Sequence, residues 1–211
     1  MIYFTSDWHF NHDKDFIWKS RGFDNVHEMN NVIMERHNEI VRPEDTVYVL
    51  GDLCMGGGSD EILRKNRKMI QSMKGNLKVI IGNHDTSTRL KMYGECYNVE
   101  ILGYAHFEKI NKYNLYMSHY PSFTGNLDYD KPLKARVINI FGHTHSDELF
   151  YEDNPLMYNV AVDAHNCYPV PLEKVIEDIQ IGINATPEIT KKVKDIRPYI
   201  KFLDKIMREG V

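Results

Sequence analysis

Acidic, amide and histidine side chains recur in five short motifs, and these residue types are the ones in the chain suited to binding metal ions. The motifs are Asp7-Trp8-His9, Gly51-Asp52, Gly82-Asn83-His84-Asp85, Ser118-His119 and Gly142-His143-Thr144-His145. Imidazole, carboxylate and amide oxygen together suit Mn, Fe, Zn or Ni, whereas a structural zinc site usually includes thiolates. The motifs therefore predict a transition-metal site.

The candidate ligands are too many for one ion, so we expect two ions that share a bridging carboxylate. Two-metal sites with ions about 3.5 to 4 Å apart are typical of enzymes that transfer phosphoryl groups. Such ions lower the pKa of a shared water, which then attacks as hydroxide, and they neutralise the phosphoryl oxygens during in-line displacement. No protein nucleophile is needed, and the chain contains no Gly-x-Ser-x-Gly motif that would supply one.

Each motif follows the end of a predicted strand. Short apolar, β-branched or aromatic runs predict buried strands at 2–5, 46–50 and 77–81, and helical periodicity predicts helices over about 26–41 and 62–73. The first half is therefore predicted to be a β-α-β-α-β unit. Because ligands bind beyond the carboxyl ends of strands in open α/β sheets, motifs far apart in the chain can meet there.

The second half carries closely spaced strands and little helix before Leu172. Strands are predicted at 99–102, 106–110, 115–118, 137–141 and 158–162, and they favour a meander that forms a second sheet facing the first. Thr186-Pro187 and the apolar stripe that follows predict a C-terminal helical extension over 186–209, kinked at Pro198. No linker or repeat interrupts the chain, so a single domain over 1–211 is expected.

Composition limits the class of protein. The chain has 211 residues, a formal charge of −4, 42% hydrophobic residues and 27% charged residues, which is typical of a globular protein. No apolar run approaches the roughly 20 residues that span a bilayer, and the N-terminus does not resemble a signal peptide. The three cysteines form no C-x-x-C pair, so reduced thiols and a cytoplasmic location are expected.

The motif set resembles that of the calcineurin-like metallophosphoesterases. The family pattern of D-x-H, GD, GNH[DE], H and GHxH stands here as DWH, GDL, GNHD, SHY and GHTH. The resemblance covers about residues 2 to 177, and the segments SDWHFNH and NVAVDAHNCYPVPLEKV resemble small bacterial and phage members. It implies an α/β fold, a four-layer α/β/β/α sandwich of two facing mixed sheets.

The resemblance also implies a set of site residues. It assigns Asp7, His9 and His145 to one metal, Asn83, His119 and His143 to the other, and Asp52 to the bridge between them. It implies that His84 faces the scissile phosphate as a catalytic residue and that Asn83 lies on the substrate side as well. The cofactors would be two divalent transition metal ions, with Mn favoured and Fe, Ni or Zn as alternatives.

Other polar residues near the motifs have two interpretations each. His12 and Arg21 follow the first motif and are predicted to contact the substrate phosphate, the alternative being a surface salt bridge or a loop hydrogen bond. Tyr120 follows a predicted ligand, and aromatic packing is favoured over lining the pocket. Asp85 and Asp163 are predicted to orient a ligand imidazole rather than to bind metal.

These observations predict a metal-dependent phosphoesterase that hydrolyses a phosphodiester or a small phosphomonoester. One alternative is a nuclease that acts on single-stranded or structured nucleic acid, but the charge of −4 disfavours a nucleic-acid partner. Another is a non-catalytic scaffold with the same fold, which loss of a ligand would favour, and none is lost. The expected partner is a small phosphate ester, with no membrane contact, and residues 186–209 could form a homodimer contact.

Overall fold

The computed structural model describes residues 1–122 and 131–185. The strands in these ranges are β1 (Ile2–Thr5), β2 (Thr46–Val49), β3 (Asn76–Ile80), β4 (Val99–Gly103), β5 (Ala105–Ile110), β6 (Tyr113–Ser118), β7 (Val137–Phe141), β8 (Phe150–Tyr151), β9 (Asn154–Asn159) and β10 (Val170–Pro171). The helices are α1 (Asp15–Trp18), α2 (Val26–Ile40), α3 (Asp60–Ser72), α4 (Ser87–Gly94) and α5 (Leu172–Ala185), and a short 3-10 helix spans Leu133–Ala135.

The first sheet has the strand order β10-β1-β2-β3-β4, with β1 to β4 parallel and β10 antiparallel at the edge. The predicted β-α-β-α-β unit is confirmed, while α1 and α4 were not predicted. Helix α2 begins after Asn25, whose side chain accepts a hydrogen bond from the backbone N–H of Glu28. Met29 and Ile33 of this helix pack in one core cluster with Val47 of β2.

Strands β1 and β2 of the first sheet are buried on both faces. Val47 and Val49 belong to the helix-covered cluster, whereas Tyr48 between them belongs to the cluster that joins the two sheets. In that second cluster Phe4 stacks on Tyr48, with ring centroids 5.5 Å apart, and Leu115 comes from the facing sheet. Burial on both faces explains why these strands are continuous apolar runs in the sequence.

The second sheet has the order β5-β6-β7-β9-β8, in which β6, β7 and β9 are mutually parallel neighbours. The predicted meander is therefore wrong. Parallel neighbours need a crossover of about a dozen residues or more, and the connection between β6 and β7 is long enough to provide one. The strand predicted at 99–102 is also not part of this sheet, because β4 pairs with β3 at the edge of the first sheet.

The strand predicted at 158–162 lies earlier, at Asn154–Asn159. Val160 to Val162 leave the second sheet and approach the first, where Ala161 forms an isolated bridge with Ser6 and the N–H of Val162 donates to the Ser6 carbonyl, 3.1 Å away. The apolar run thus continues past the strand because it stays buried while it passes between the sheets.

Helix α5 completes the described fold. Val175 and Ile179 join the core between the sheets, and the Tyr158 hydroxyl donates to Asp178 over 2.7 Å. The predicted α/β architecture of two facing mixed sheets is confirmed, and the extension predicted over 186–209 lies outside the described residues. Within 1–122 and 131–185, none of the helices combines the length and the apolar character that crossing a bilayer requires.

Candidate metal centre

The five motifs converge, because each follows the carboxyl end of a strand as predicted. Their ligand-type residues are Asp7 and His9 after β1, Asp52 after β2, Asn83 after β3, His119 after β6, and His143 and His145 after β7. In the described ranges, two overlapping triads have ligand atoms within 4.8 Å of one another, namely Asp7, His9 and His145, and Asp7, Asp52 and His119. Both sheets thus contribute to one site.

The first group surrounds one carboxylate oxygen. Oδ2 of Asp7 accepts a hydrogen bond from the backbone N–H of His143 at 2.8 Å, whereas Oδ1 is buried without a hydrogen-bond partner. Nε2 of His9 lies 3.8 Å from Oδ1, and Nε2 of His145 lies 3.7 Å from it. The two Nε2 atoms are 3.1 Å apart. Three potential ligand atoms therefore face one small volume.

The second group of potential ligands consists of Asn83, His119 and His143 and surrounds Nε2 of His119. Oδ1 of Asn83 lies 2.8 Å from this nitrogen, and Nδ1 of His143 lies 3.2 Å from it. The other ring nitrogen of His119 is 2.7 Å from the Leu50 carbonyl, which can only accept a hydrogen bond. Nδ1 of His119 is therefore the donor of this hydrogen bond, so in the neutral tautomer that fits the contact Nε2 presents its lone pair to the site.

Asp52 lies between the two groups. Its Oδ2 is 3.6 Å from Nε2 of His9 and 3.5 Å from Nε2 of His119, so it is almost equidistant from a member of each group. Its Oδ1 accepts a hydrogen bond from the backbone N–H of His84 at 2.8 Å. One oxygen is thus held by the loop after β3, and the other is directed between the two sets of ligand atoms.

Asp85 supports the loops rather than a histidine. Its carboxylate accepts hydrogen bonds from the backbone N–H groups of Asp52 and Gly82, each at 2.8 Å, and from the Tyr93 hydroxyl at 2.8 Å. The prediction that Asp85 orients a ligand imidazole is therefore wrong. The carboxylate is only 5% exposed and turns inward, where two buried amides would otherwise lack acceptors.

Several predicted ligands have a left-handed backbone, which is uncommon for residues other than glycine. The φ angles are 60° at Asp7, 48° at His9, 57° at Asp52, 69° at His143 and 49° at His145. Such conformations cost of the order of 1–3 kcal/mol each and persist only where the surrounding structure determines them. The clustering of this strain at the ligands is typical of a functional site, and no sequence pattern indicated it.

The glycines of the motifs permit close approach between the loops. Gly51 has a φ of +94°, and a Cβ there would lie 2.7 Å from the Cα of Gly82 and 2.7 Å from Nδ1 of His119. A Cβ on Gly142 would collide with the side chains of Ser6 and Asp7. Glycine is therefore required at these positions by the packing of the ligands themselves.

Burial and neighbouring charges shift the pKa values of the predicted ligands in both directions. Burial lowers the pKa of His9 to about 4, which keeps its imidazole neutral. Burial alone would raise the pKa of Asp7, but His9, His119 and His145 lower it below its usual range. Burial raises the pKa of Asp52 to about 6. Buried carboxylates beside neutral imidazoles create a site that a cation would stabilise.

His84 and His12 lie beside the metal-type ligands. The His84 ring meets the His9 ring edge-on, with centroids 5.4 Å apart, and the His12 ring lies 5.3 Å from the His9 ring. The centroids of His12 and His84 are 6.3 Å apart, and both residues retain partial exposure to solvent. The structure thus brings both residues to the accessible side of the site, as their predicted roles require.

Arg21 has other partners than the predicted phosphate. Its side chain is 3% exposed and forms two hydrogen bonds of 2.9 Å with the carboxylate of Asp163, from Nε and from Nη2. These contacts favour the salt-bridge alternative, although the pair is buried rather than at the surface, and the substrate contact of Arg21 stays a prediction. Asp163 is 142 residues away in sequence, so no local pattern could have paired the two.

Tyr120 packs on the ligands and stays half exposed. Its ring centroid is 4.5 Å from that of His143 and 5.2 Å from that of His119, and the residue is 49% exposed. The favoured packing interpretation agrees with these contacts. The exposed part of the ring also borders the site, so the alternative of lining the pocket is compatible with them.

A cavity of about 320 Å³ opens beside His145. It is lined by Ser20, Phe23, Ser146, Asp147 and Asn166 together with Arg21 and Asp163. A second cavity of about 410 Å³ lies between α3 and α4 and is lined by residues such as Arg64 and Lys91, and none of the predicted ligands lines it. Size alone would favour the cavity between α3 and α4 as the candidate functional site. The cavity beside His145 is the better candidate because it borders the converging predicted ligands.

The chain belongs to the calcineurin-like phosphoesterases. Residues 1–160 match the family model of the calcineurin-like phosphoesterase superfamily domain, which spans all five motifs. The resemblance seen in the sequence is therefore confirmed, and the ligand groups described above are candidate metal-binding groups of a member of this superfamily.

Related proteins extend over most of the chain. Uncharacterized protein MJ1445 of Methanocaldococcus jannaschii is 31% identical over 86% of this chain and 92% of its own length. The Gene 66 protein of Mycobacterium phage D29 is 25% identical over 86% of this chain and 98% of its own length. The crystal structure of AQ665, a protein of unknown function from Aquifex aeolicus, has a TM-score of 0.62 at 22% identity and covers 84% of this chain and 98% of its own. That likeness shows the shared fold.

Proposed function

We propose that the protein is a dinuclear metal-dependent phosphoesterase that hydrolyses a phosphodiester or a small phosphomonoester. The observation that carries this proposal is the position of Asp52 Oδ2, which lies 3.6 Å from Nε2 of His9 and 3.5 Å from Nε2 of His119. A carboxylate oxygen shared between two sets of ligand atoms is what a bridged pair of ions requires.

The donor set fits divalent transition metals. Oδ1 of Asp7 is buried without a hydrogen-bond partner, although a buried carboxylate oxygen normally has one. The lone pair on Nε2 of His119 faces Oδ1 of Asn83, another acceptor, over 2.8 Å. A cation shared by these atoms would satisfy them. Nitrogen and oxygen donors without thiolate suit Mn, Fe, Ni or Zn, and we propose Mn first.

The residues that would hold the ions are those of the two groups, with Asp52 between them. When bound, a pair of divalent ions lowers the pKa of a bound water and neutralises phosphoryl oxygens. The lowered pKa values of Asp7 and His9 keep these two residues in the ionisation states that bind cations. The backbone N–H of His84 and the carboxylate of Asp85 fix the loops that carry Asp52 and Asn83.

His84 is proposed as the proton donor to the leaving oxygen. It follows Asn83 directly, and its ring lies 5.4 Å from that of His9 without being needed in either ligand group. His12, which lies on the same side of the site, is proposed to hydrogen-bond the phosphate. Arg21 is left out of this set because its guanidinium is occupied by Asp163.

The experiment that tests the function is a panel of phosphate esters on metal-stripped protein restored with Mn or Ni. The panel contains p-nitrophenyl phosphate, its bis ester, 2′,3′- and 3′,5′-cyclic nucleotides, and single-stranded DNA. We expect metal-dependent turnover of at least one small ester. Turnover of DNA alone would replace the proposal by a nuclease, and saturation with two ions without turnover of any ester would replace it by a scaffold.

A further inference from the structure

The ion pair between Arg21 and Asp163 lies directly behind His145. The two side chains are 3% and 11% exposed, and the guanidinium meets the carboxylate in a fork, with Nε to Oδ1 and Nη2 to Oδ2 both at 2.9 Å. This bidentate geometry fixes the orientation of both planar groups. A buried pair of this kind has a defined position that an exposed salt bridge lacks.

The pair connects three segments of the chain at the first ligand group. Nη2 of Arg21 donates to the backbone carbonyl of Asp7 at 2.9 Å, and Nη1 lies 3.4 Å from the carbonyl of Trp8. Oδ2 of Asp163 lies 3.3 Å from Nδ1 of His145. The loop after β1, the loop after β7 and the segment that contains Asp163 are thus held together by two side chains.

Hydrogen counting determines which atom donates to which. Nη2 of Arg21 also lies 3.2 Å from Nδ1 of His145, but its two hydrogens are already directed at the Asp7 carbonyl and at Oδ2 of Asp163. Nδ1 of His145 is therefore left to donate its own proton to Asp163. Nε2, the other ring nitrogen, is then the atom directed toward Oδ1 of Asp7 and Nε2 of His9, 3.7 Å and 3.1 Å away.

We propose that Arg21 and Asp163 are a positioning pair for the metal position formed by Asp7, His9 and His145. Asp163 orients the His145 ring through Nδ1, and Arg21 fixes Asp163 while it holds the carbonyl of Asp7. This role rests on the metal site of the proposed function and adds residues that touch neither metal nor substrate. A carboxylate behind a ligand imidazole typically raises metal affinity by 10- to 100-fold.

The effect should be confined to one of the two positions. The other position has separate support, because Nδ1 of His119 is held by the Leu50 carbonyl, 2.7 Å away, and not by a side chain. Loss of Asp163 leaves that contact intact. A selective change at one position therefore separates positioning from a general loss of structure.

The test is Mn²⁺ binding to metal-free wild type, Asp163→Asn and Asp163→Ala, followed by calorimetry and by electron paramagnetic resonance. In wild type we expect two bound ions and the signal of a coupled pair. In Asp163→Ala we expect about 10- to 100-fold weaker binding at one position and the signal of isolated Mn²⁺. Asp163→Asn keeps an acceptor for Nδ1 of His145 and should lose less affinity than Asp163→Ala.

A double variant that removes both Arg21 and Asp163, together with a matched control, keeps the test usable if a single variant does not fold. Removing one partner of a buried pair leaves an uncompensated charge, so the double variant Arg21→Met/Asp163→Leu is included in case Asp163→Ala does not fold. It should show the same selective loss. Glu95→Gln removes the exposed pair of Arg67 and Glu95, whose charged atoms are 3.0 Å apart, and should leave Mn²⁺ binding at both positions unchanged.

Two results would overturn the inference. Folded variants that bind Mn²⁺ at both positions as tightly as wild type would exclude a positioning role, and equal losses at both positions would reduce the pair to a structural one. Failure of the proposed function is distinguishable from either result, because it would appear as wild type that binds fewer than two ions or turns over none of the esters.

Discussion

In Asp7 and in Asp52, one carboxylate oxygen accepts a backbone hydrogen bond and the other faces the candidate metal site. Oδ2 of Asp7 and Oδ1 of Asp52 accept hydrogen bonds from backbone N–H groups at 2.8 Å, and the remaining oxygen of each residue faces the site. The backbone contact fixes the direction in which the other oxygen points. A conservative change at such a residue therefore keeps the loop contact and alters only the oxygen that faces the site.

Asp52→Asn should abolish the paired metal site. The Asn side chain can still accept from the N–H of His84, but it lacks the charge that a bridging ligand supplies between His9 and His119. We expect fewer than two ions per chain at saturating Mn and activity at background level. Metal analysis and circular dichroism check this, and a folded variant with two tightly bound ions would contradict it.

His84→Ala should separate two classes of ester. A general acid typically contributes 10²- to 10⁴-fold to the rate, and it matters most when the leaving alkoxide is basic. We expect loss of this size for alkyl esters, a much smaller loss for p-nitrophenyl esters, and unchanged metal content. Equal losses for both classes would leave only electrostatic stabilisation of the phosphoryl oxygens as the role of His84.

At the scale of elements, a network of buried asparagines joins the ligand loops to the helices. Asn11, on the loop after β1, exchanges hydrogen bonds with Asn30 of α2 and donates to Asn66 of α3 over 2.6 Å. Asn66 in turn donates to the carbonyl of Met55, on the loop after β2, over 2.9 Å. The helices thus hold two loops that carry ligands, in addition to covering the sheet.

Asn66→Ala should destabilise the protein by about 1–3 kcal/mol, because the half-buried amide of Asn11 and the Met55 carbonyl each lose a partner. The free energy of unfolding in urea measures the change. Lys68→Ala, an exposed substitution on the same helix, serves as the control and should change stability by less than about 0.5 kcal/mol. Equal stabilities of the two variants would show that the network contributes nothing.

Local sequence patterns predicted the individual strands and helices, because these depend on residues that are neighbours in sequence. The strands before Asp7 and Asp52 were visible because parallel strands buried on both faces are apolar runs that end at polar residues. The order of the second sheet was not visible, since the direction of β7 relative to β6 depends on a crossover and not on its own residues. The partner of Arg21 was equally hidden, because Asp163 meets it only through the tertiary fold.

The identity of the candidate ligands could be predicted from their motifs. The distances between their side chains could not. Asp7 and His145 stand in recognisable motifs, whereas the convergence of their side chains depends on both sheets meeting at one edge. The inward turn of Asp85 follows from the buried amides of Asp52 and Gly82, which only the folded loops create. Sequence therefore predicted which residues come together at this edge and left their contacts to the structure.

At the scale of the whole molecule, His37 links stability to pH. It is 1% exposed on α2, its Nε2 donates to the Lys74 carbonyl over 2.9 Å, and its ring meets Trp8 edge-on at 5.6 Å. Burial lowers the pKa of His37 to about 4. Because the unfolded chain takes up this proton near pH 6.5 and the folded chain does not, stability is lost as the pH falls from about 6.5 toward 4.

His37→Gln should flatten the acid side of the stability profile of the metal-free protein. One differential proton changes the free energy of unfolding by about 1.4 kcal/mol per pH unit, so the difference between variant and wild type should shrink on going from pH 7 to pH 5. Urea unfolding at the two pH values measures it. His27→Gln, an exposed change on the same helix, is the control. If the free energy of unfolding changed with pH in the same way in both variants, His37 would not be the source of the pH dependence.

The left-handed backbone of several predicted ligands affects which ions the proposed centre would accept. The backbone of Asp7, Asp52 and His143 is held in costly conformations by packed strands and loops, so the frame of the proposed metal centre is rigid before any ion binds. A rigid frame cannot shrink or widen to follow ionic radius, and it penalises cations whose preferred distances or coordination geometry differ from its own. Selection among metals would then come from the stiffness of the turns as much as from the chemistry of the side chains.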